Sequence, residues 1–229
     1  MSSPAQFTTE SAVLAASVGA AVLYQSLVRS PPSFPRMVIK TASTALLSAT
    51  SFLRGGPFLL VGALGLGSVG DAFLAWDDET SFIFGLASFL VAHILYILLF
   101  LQNGPGGMDD FNIKVHTILS KNWRAAIAGA LALLVPFMIS QLMPRIGKDL
   151  RAPVVVYSLV IFVMALTALT LQSSQVILGA VMFTSSDSIL AAGKFLVPAS
   201  SGHHAWMHHA VWVLYYAGQL LIALGFLSL

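Results

Sequence analysis

Eight apolar runs, each roughly as long as a bilayer's hydrocarbon core is thick, follow one another along this chain with short polar breaks between them. A helix crosses that core with about 20 apolar residues. The runs fall at 11–28, 37–53, 58–75, 82–101, 123–142, 151–171, 174–193 and 205–227. Lipid offers the backbone no hydrogen-bonding partners, so each run must satisfy its own N–H and C=O groups as a helix. The expected fold is an all-α integral membrane bundle of eight transmembrane helices, one polytopic domain over residues 1–229. The breaks carry turn chemistry, as in "RSPPSFPR", "RGGP", "QNGPGGMDD" and "VPASSGHH". Only the connection at 102–122 has room for a separate surface element, and "LQSSQ" barely divides the sixth run from the seventh.

Charge supports this reading. Charged residues make up 9% of the chain, against about 25% in soluble domains. A net charge of +2 from so few groups argues against nucleic acid as a partner. There is no cysteine, which excludes disulfides and thiolate chemistry. "MSSPAQFTTE" lacks the basic region of a secretory signal, so the first run is expected to be retained as a span. With eight spans both termini share one face. Four basic residues (Arg54, Lys114, Lys121, Arg124) flank that face, and seven (Arg29, Arg36, Lys40, Arg145, Lys148, Arg151, Lys194) flank the opposite one. The positive-inside rule puts the opposite face in the cytoplasm.

Against this background the carboxylates of "GSVGDAFLAW" and "VMFTSSDSILAAG" stand out. A carboxylate at the bilayer centre costs about 2.5–3.5 kcal/mol on insertion scales, and such residues usually face a bundle interior and mark function. Asp71 and Asp187 each lie 13 residues past the start of their run (71 − 58 and 187 − 174), in runs of the same direction, so they share a depth nearer the opposite face. Lys40, early in the second run, occupies a neighbouring layer. One reading is a structural ion pair between Lys40 and an aspartate. The other is an acid–base site, in which two carboxyls sharing a pocket separate into an acid and a base. His93 and Tyr96 share one helix face, as do Tyr215 and Gln219, and Ser186 adjoins Asp187. These five are supporting candidates, although interhelical hydrogen bonding alone accounts for a lone tyrosine or glutamine. Glycines at 62, 65, 67 and 70 allow close helix packing. In "HHAWMHH", His204 and His208 have the i, i+4 spacing of a metal pair, but an interfacial polar belt explains them equally, and no metal or cofactor is expected.

The blocks "GDAFL", "FIFGLASFLVAHILY", "LGAVMFTSSDSIL" and "YYAGQLLI", with Lys40 opening the second run, resemble in order the YhhN-like family, which includes the TMEM86 lysoplasmalogenases. "HHAWMHH" lies outside that pattern. The resemblance implies an eight-helix enzyme that hydrolyses the vinyl ether of a lysophospholipid, releasing a fatty aldehyde and a glycerophospho-base. Its location would be the endoplasmic reticulum membrane in a eukaryote or the inner membrane in a bacterium. Asp71 and Asp187 would be the catalytic pair, with the headgroup toward the opposite face near Lys40 or Lys194. Three competing readings are a metal-dependent lipid amidase using His93, the 203–209 histidines and Asp71, a proton-coupled transporter, and a non-catalytic lipid-binding scaffold. Internal repeats would favour the transporter, and beyond the likeness of "GDAFL" to "SDSIL" the sequence shows none.

Overall fold

The computed structural model describes residues 4–228, and among them every regular element is an α-helix. The helices are α1 (Pro4–Leu27), α2 (Phe34–Leu53), α3 (Phe58–Phe73), α4 (Glu79–Asn103), α5 (Phe111–Leu119), α6 (Asn122–Leu142), α7 (Lys148–Ala168), α8 (Ser174–Phe195) and α9 (His204–Leu227). Their starts are written in the breaks. Ser33, Asp78, Asp110 and Ser173 cap α2, α4, α5 and α8 by accepting hydrogen bonds from the amides of Arg36, Ser81, Ile113 and Val176. At Asp78 these amide bonds hold the carboxyl below the usual carboxylate range. After α2 the chain reverses through Gly55 at φ +68°, where a side chain would be strained, and the Gly56 amide bonds the Ser51 carbonyl at 2.8 Å.

Six helices (α1, α4, α6, α7, α8 and α9) are long and apolar enough to cross a membrane. The other two expected spans depart from that standard for identifiable reasons. Helix α3 is apolar but has only 16 residues and stops at Phe73, short of the expected 75. It measures about 24 Å at 1.5 Å per residue. Helix α2 has 20 residues but buries Lys40, Ser43, Thr44, Ser48, Thr50 and Ser51, which lowers its apolarity. The short α5 fills the 102–122 connection, where Lys114 donates to the Gly107 carbonyl and ties helix to loop.

Packing follows a closed order. Helix α2 lies against α3, α3 against α4, α4 against α7, α7 against α8, α8 against α9, and α9 returns to α2. Helix α1 leans on α2 and α9 from outside, while α6 leans on α7 and touches α8. The tightest crossing is α8 on α9. A Cβ on Gly179 would come within 2.7 Å of the Gly218 carbonyl, so only glycine permits the approach. Inside the ring Phe183 is fully buried, its ring centroid 4.7 Å from His93, 5.3 Å from Tyr215 and 6.2 Å from Phe89. Phe183 lies one helical turn before Asp187, so this aromatic plug lies beneath the aspartate layer and the ring opens toward the opposite face.

Candidate active site

Above the plug is a cavity of about 710 Å³, lined by both Asp71 and Asp187. Its walls are otherwise largely apolar, with Leu134, Val135 and Met138 of α6 and Val154 and Ile161 of α7 on one side. Asp71 lies near enough to Asp187 to act on its charge. Asp71 is 1% exposed, and the Asp187 side chain is 14% exposed.

Asp71 is densely partnered. Its Oδ1 faces Lys40 Nζ at 3.5 Å. Its Oδ2 accepts hydrogen bonds from Tyr215 OH at 2.7 Å and Thr44 Oγ1 at 2.9 Å. The two hydroxyls are themselves 3.3 Å apart. Helices α2 and α9 thus converge on one carboxylate at the last turn of α3. Room for this comes from Gly67, whose missing Cβ would sit 3.5 Å from Tyr215 OH and 3.2 Å from Gln219 Nε2.

Asp187 has fewer and different partners. Tyr157 OH donates to its Oδ2. His93 Nε2 stands 3.9 Å from the same oxygen, beyond hydrogen-bond length. His93 Nδ1 lies 2.6 Å from the Phe89 carbonyl, which only accepts, so a neutral His93 carries its proton on Nδ1 and presents Nε2 as a bare acceptor. That Nε2 is buried and has no other partner.

Of the residues expected from sequence, Lys40, Asp71 and Tyr215 therefore share direct contacts, and His93 sits beside Asp187. Tyr96 and Gln219 lie deeper and pair with each other, Tyr96 OH donating to Gln219 Oε1 at 2.5 Å. Ser186 lines the cavity, but its hydroxyl is committed to the Val211 carbonyl of α9 at 2.9 Å. Sequence reasoning missed Tyr157 and Thr44, which contact the two carboxylates, and Arg36, which lines the cavity mouth. Lys40, expected to pair with one of the aspartates or to meet the headgroup, pairs with Asp71. The 203–209 histidines do not join His93. His93 is 14 residues into α4, about 20 Å from the opposite face, where α9 begins. Among the described residues no three His, Asp or Glu side chains gather as a metal set.

The sequence has counterparts among known proteins. The YhhN family model matches residues 35–226. A lysoplasmalogenase of Mycobacterium bovis is 32% identical over 171 residues, covering 73% of this chain and 59% of that protein. Human lysoplasmalogenase TMEM86B is 32% identical, covering 73% and 62%. Human lysoplasmalogenase TMEM86A is 28% identical, covering 87% and 81%. The chain thus spans about three fifths of the length of the first of these relatives. No solved structure matches it at a significant level. The family match takes in every residue that contacts the two carboxylates, from Lys40 to Tyr215, and the chain belongs to the YhhN family.

Proposed function

We propose that this chain is a multi-pass membrane hydrolase that cleaves the vinyl ether of lysoplasmalogens by acid–base catalysis. The observation that carries the reading is one cavity lined by two carboxylates with unlike neighbours. The names of the relatives supply the substrate class.

The reaction protonates the alkene carbon remote from the ether oxygen and forms an oxocarbenium ion. Water adds to the cationic carbon and loses a proton, and the hemiacetal collapses to a fatty aldehyde and the glycerol hydroxyl. One water is consumed. Asp187 is the proton donor in this scheme, since among the described residues no lysine or arginine pairs with it, while one pairs with Asp71. Asp71, held as an anion by Lys40, stabilises the oxocarbenium ion and takes the proton from the attacking water. The apolar wall of α6 and α7 accepts the alkenyl chain.

The test is to incubate purified protein with alkenyl- and acyl-lysophospholipids and follow products by mass spectrometry. Aldehyde from the alkenyl lipid alone is the expected result. Fatty acid release from the acyl lipid, or no product from either, overturns the proposal.

The same reading has α2 and α3 complete eight crossings, their polar face turned to the cavity rather than to lipid. Because the chain has no cysteine, the single variants Ser30→Cys and Arg54→Cys report the two ends of α2 separately. An impermeant maleimide should label them from opposite sides of sealed vesicles, and labelling from one side breaks the eight-span topology.

A further inference from the structure

The histidine motif takes no part in the reaction above, yet two of its members line the same cavity. His204 and His208, one turn apart at the start of α9 with ring centroids 5.8 Å apart, both line the cavity where it meets the opposite face. Arg36 of α2 and Lys194 at the end of α8 line the same mouth. Arg29, Arg36, His204 and His209 all lie close enough to His208 to act on its charge.

Arg36 is oriented rather than free. Its NH1 donates to the Ala75 carbonyl at 2.8 Å, and its guanidinium lies 5.9 Å from the centre of the Tyr24 ring. Its Nε is buried and has no partner. Lys194 Nζ stands 4.3 Å over the Phe82 ring. Among the described residues neither Arg36 nor Lys194 makes a salt bridge with a carboxylate, so the cluster is a predominantly positive rim, with Asp77 as the one carboxylate at the mouth beside it. Lys194 lies seven residues past Asp187, about 10 Å along α8. A three-carbon glycerol together with side-chain reach spans that separation. Next to the Ala75 carbonyl, Trp76 and Asp77 also line the mouth and offer an aromatic face and a carboxylate to an amine.

We propose that Arg36, Lys194, His204 and His208 form a phosphate-binding rim that receives the phosphodiester of a lysophospholipid headgroup, with Arg36 making the directed hydrogen bonds and the others supplying charge. The lipid as source rests on the hydrolase reading; the anion site itself rests on the rim alone.

The experiment measures binding to the full chain in detergent, without turnover. The probes are an uncleavable saturated alkyl lysophosphocholine, the uncharged alkyl glycerol of the same chain length, and glycerol phosphate. Arg36→Gln should weaken the phospholipid roughly tenfold or more, as loss of a charge-assisted hydrogen bond does. It should leave the alkyl glycerol unchanged. If Arg36→Gln does not fold, the combined Lys194→Gln, His204→Gln and His208→Gln variant on the outer rim carries the same expectation. Unchanged phospholipid affinity, or equal weakening of both lipids, overturns the proposal. Glycerol phosphate that competes with the lipid supports a rim reading phosphate from any source. Failure to compete, with the lipid still sensitive to Arg36, supports the lipid headgroup as the source. Arg36-dependent binding without aldehyde release breaks the hydrolase reading and keeps the rim, while aldehyde release without Arg36-dependent binding does the reverse.

Discussion

Asp71 and Asp187 occupy the same rung of two helices, each 13 residues past its helix's first residue. Each takes one partner from the preceding helix, Lys40 of α2 or Tyr157 of α7. Each takes another from the last helix of the opposite trio, Tyr215 of α9 or His93 of α4. The trios α2–α3–α4 and α7–α8–α9 follow each other around the ring in the same order. What differs is the chemistry hung on this common frame. One carboxylate has an ammonium and two hydroxyl donors, and the other has a phenol and a bare imidazole nitrogen. An opposite charge at close range favours the anion, and its absence favours the neutral acid. In the proposed scheme it is the neighbours, rather than the position, that assign one aspartate as the anion and the other as the proton donor.

The largest expected effect removes the titratable groups themselves. Asp71→Asn and Asp187→Asn keep volume and hydrogen bonding, and each should lower aldehyde release by about 10²–10⁴-fold. The double variant should lose little more than the worse single, because members of one catalytic unit are not additive. Near-normal turnover in either single variant, measured at matched folded protein, would end the division of labour between them.

Lys40 sharpens the contrast through stability. Lys40→Met leaves Asp71 buried without its cation, which for a broken buried pair costs about 3–5 kcal/mol. Adding Asp71→Asn should recover much of that loss, because the stranded charge goes with it. Adding Asp187→Asn should recover none, and the two effects should add within about 0.5 kcal/mol. Unfolding in detergent reads these numbers. Equal recovery by either aspartate variant would mean that Lys40 serves both carboxylates and that the asymmetry is not real.

Much of this arrangement was legible in the sequence because charge in lipid is costly and therefore conspicuous. Asp71 and Asp187 could be placed in one layer, and Lys40 in the neighbouring one, from helix rise alone. Their partners could not. Tyr157 and Thr44 are polar residues of ordinary kinds in long apolar runs, and their roles depend on lateral packing that no periodicity encodes. Arg36 sits in "PPSFPR" and read as one flanking charge among several until Ala75, more than a helix away in sequence, turned it toward the cavity. The helices themselves were mostly legible. Departures came at α2, whose buried serines and threonines dilute its apolarity, and at α3, which ends just past its aspartate. The repeated order of packing was hidden because only "GDAFL" and "SDSIL" preserve it at the level of residues.

Those two short blocks give the finest comparison. Gly70 precedes Asp71 as Ser186 precedes Asp187, and the same substitution at each tests what the frame needs there. At Gly70 an added Cβ would lie 2.6 Å from the Phe89 ring, which is buried and packs edge-on against Tyr215 at 5.6 Å between centroids. Gly70→Ala must therefore move Phe89, and through it the phenol that donates to Asp71. Overpacking of this kind costs about 1–3 kcal/mol, and turnover should fall with it because the displaced group holds the anion. Ser186→Ala removes one hydrogen bond to the Val211 carbonyl, a backbone oxygen on a helix that retains its own ladder. The expected loss is about 0.5–1.5 kcal/mol, with aldehyde release unchanged. Denaturation midpoints and turnover measured side by side decide it. If Ser186→Ala cost turnover while Gly70→Ala did not, the serine hydroxyl would belong to the chemistry, and the difference between the two aspartates would lie in the residue before each one, not in the helices around them.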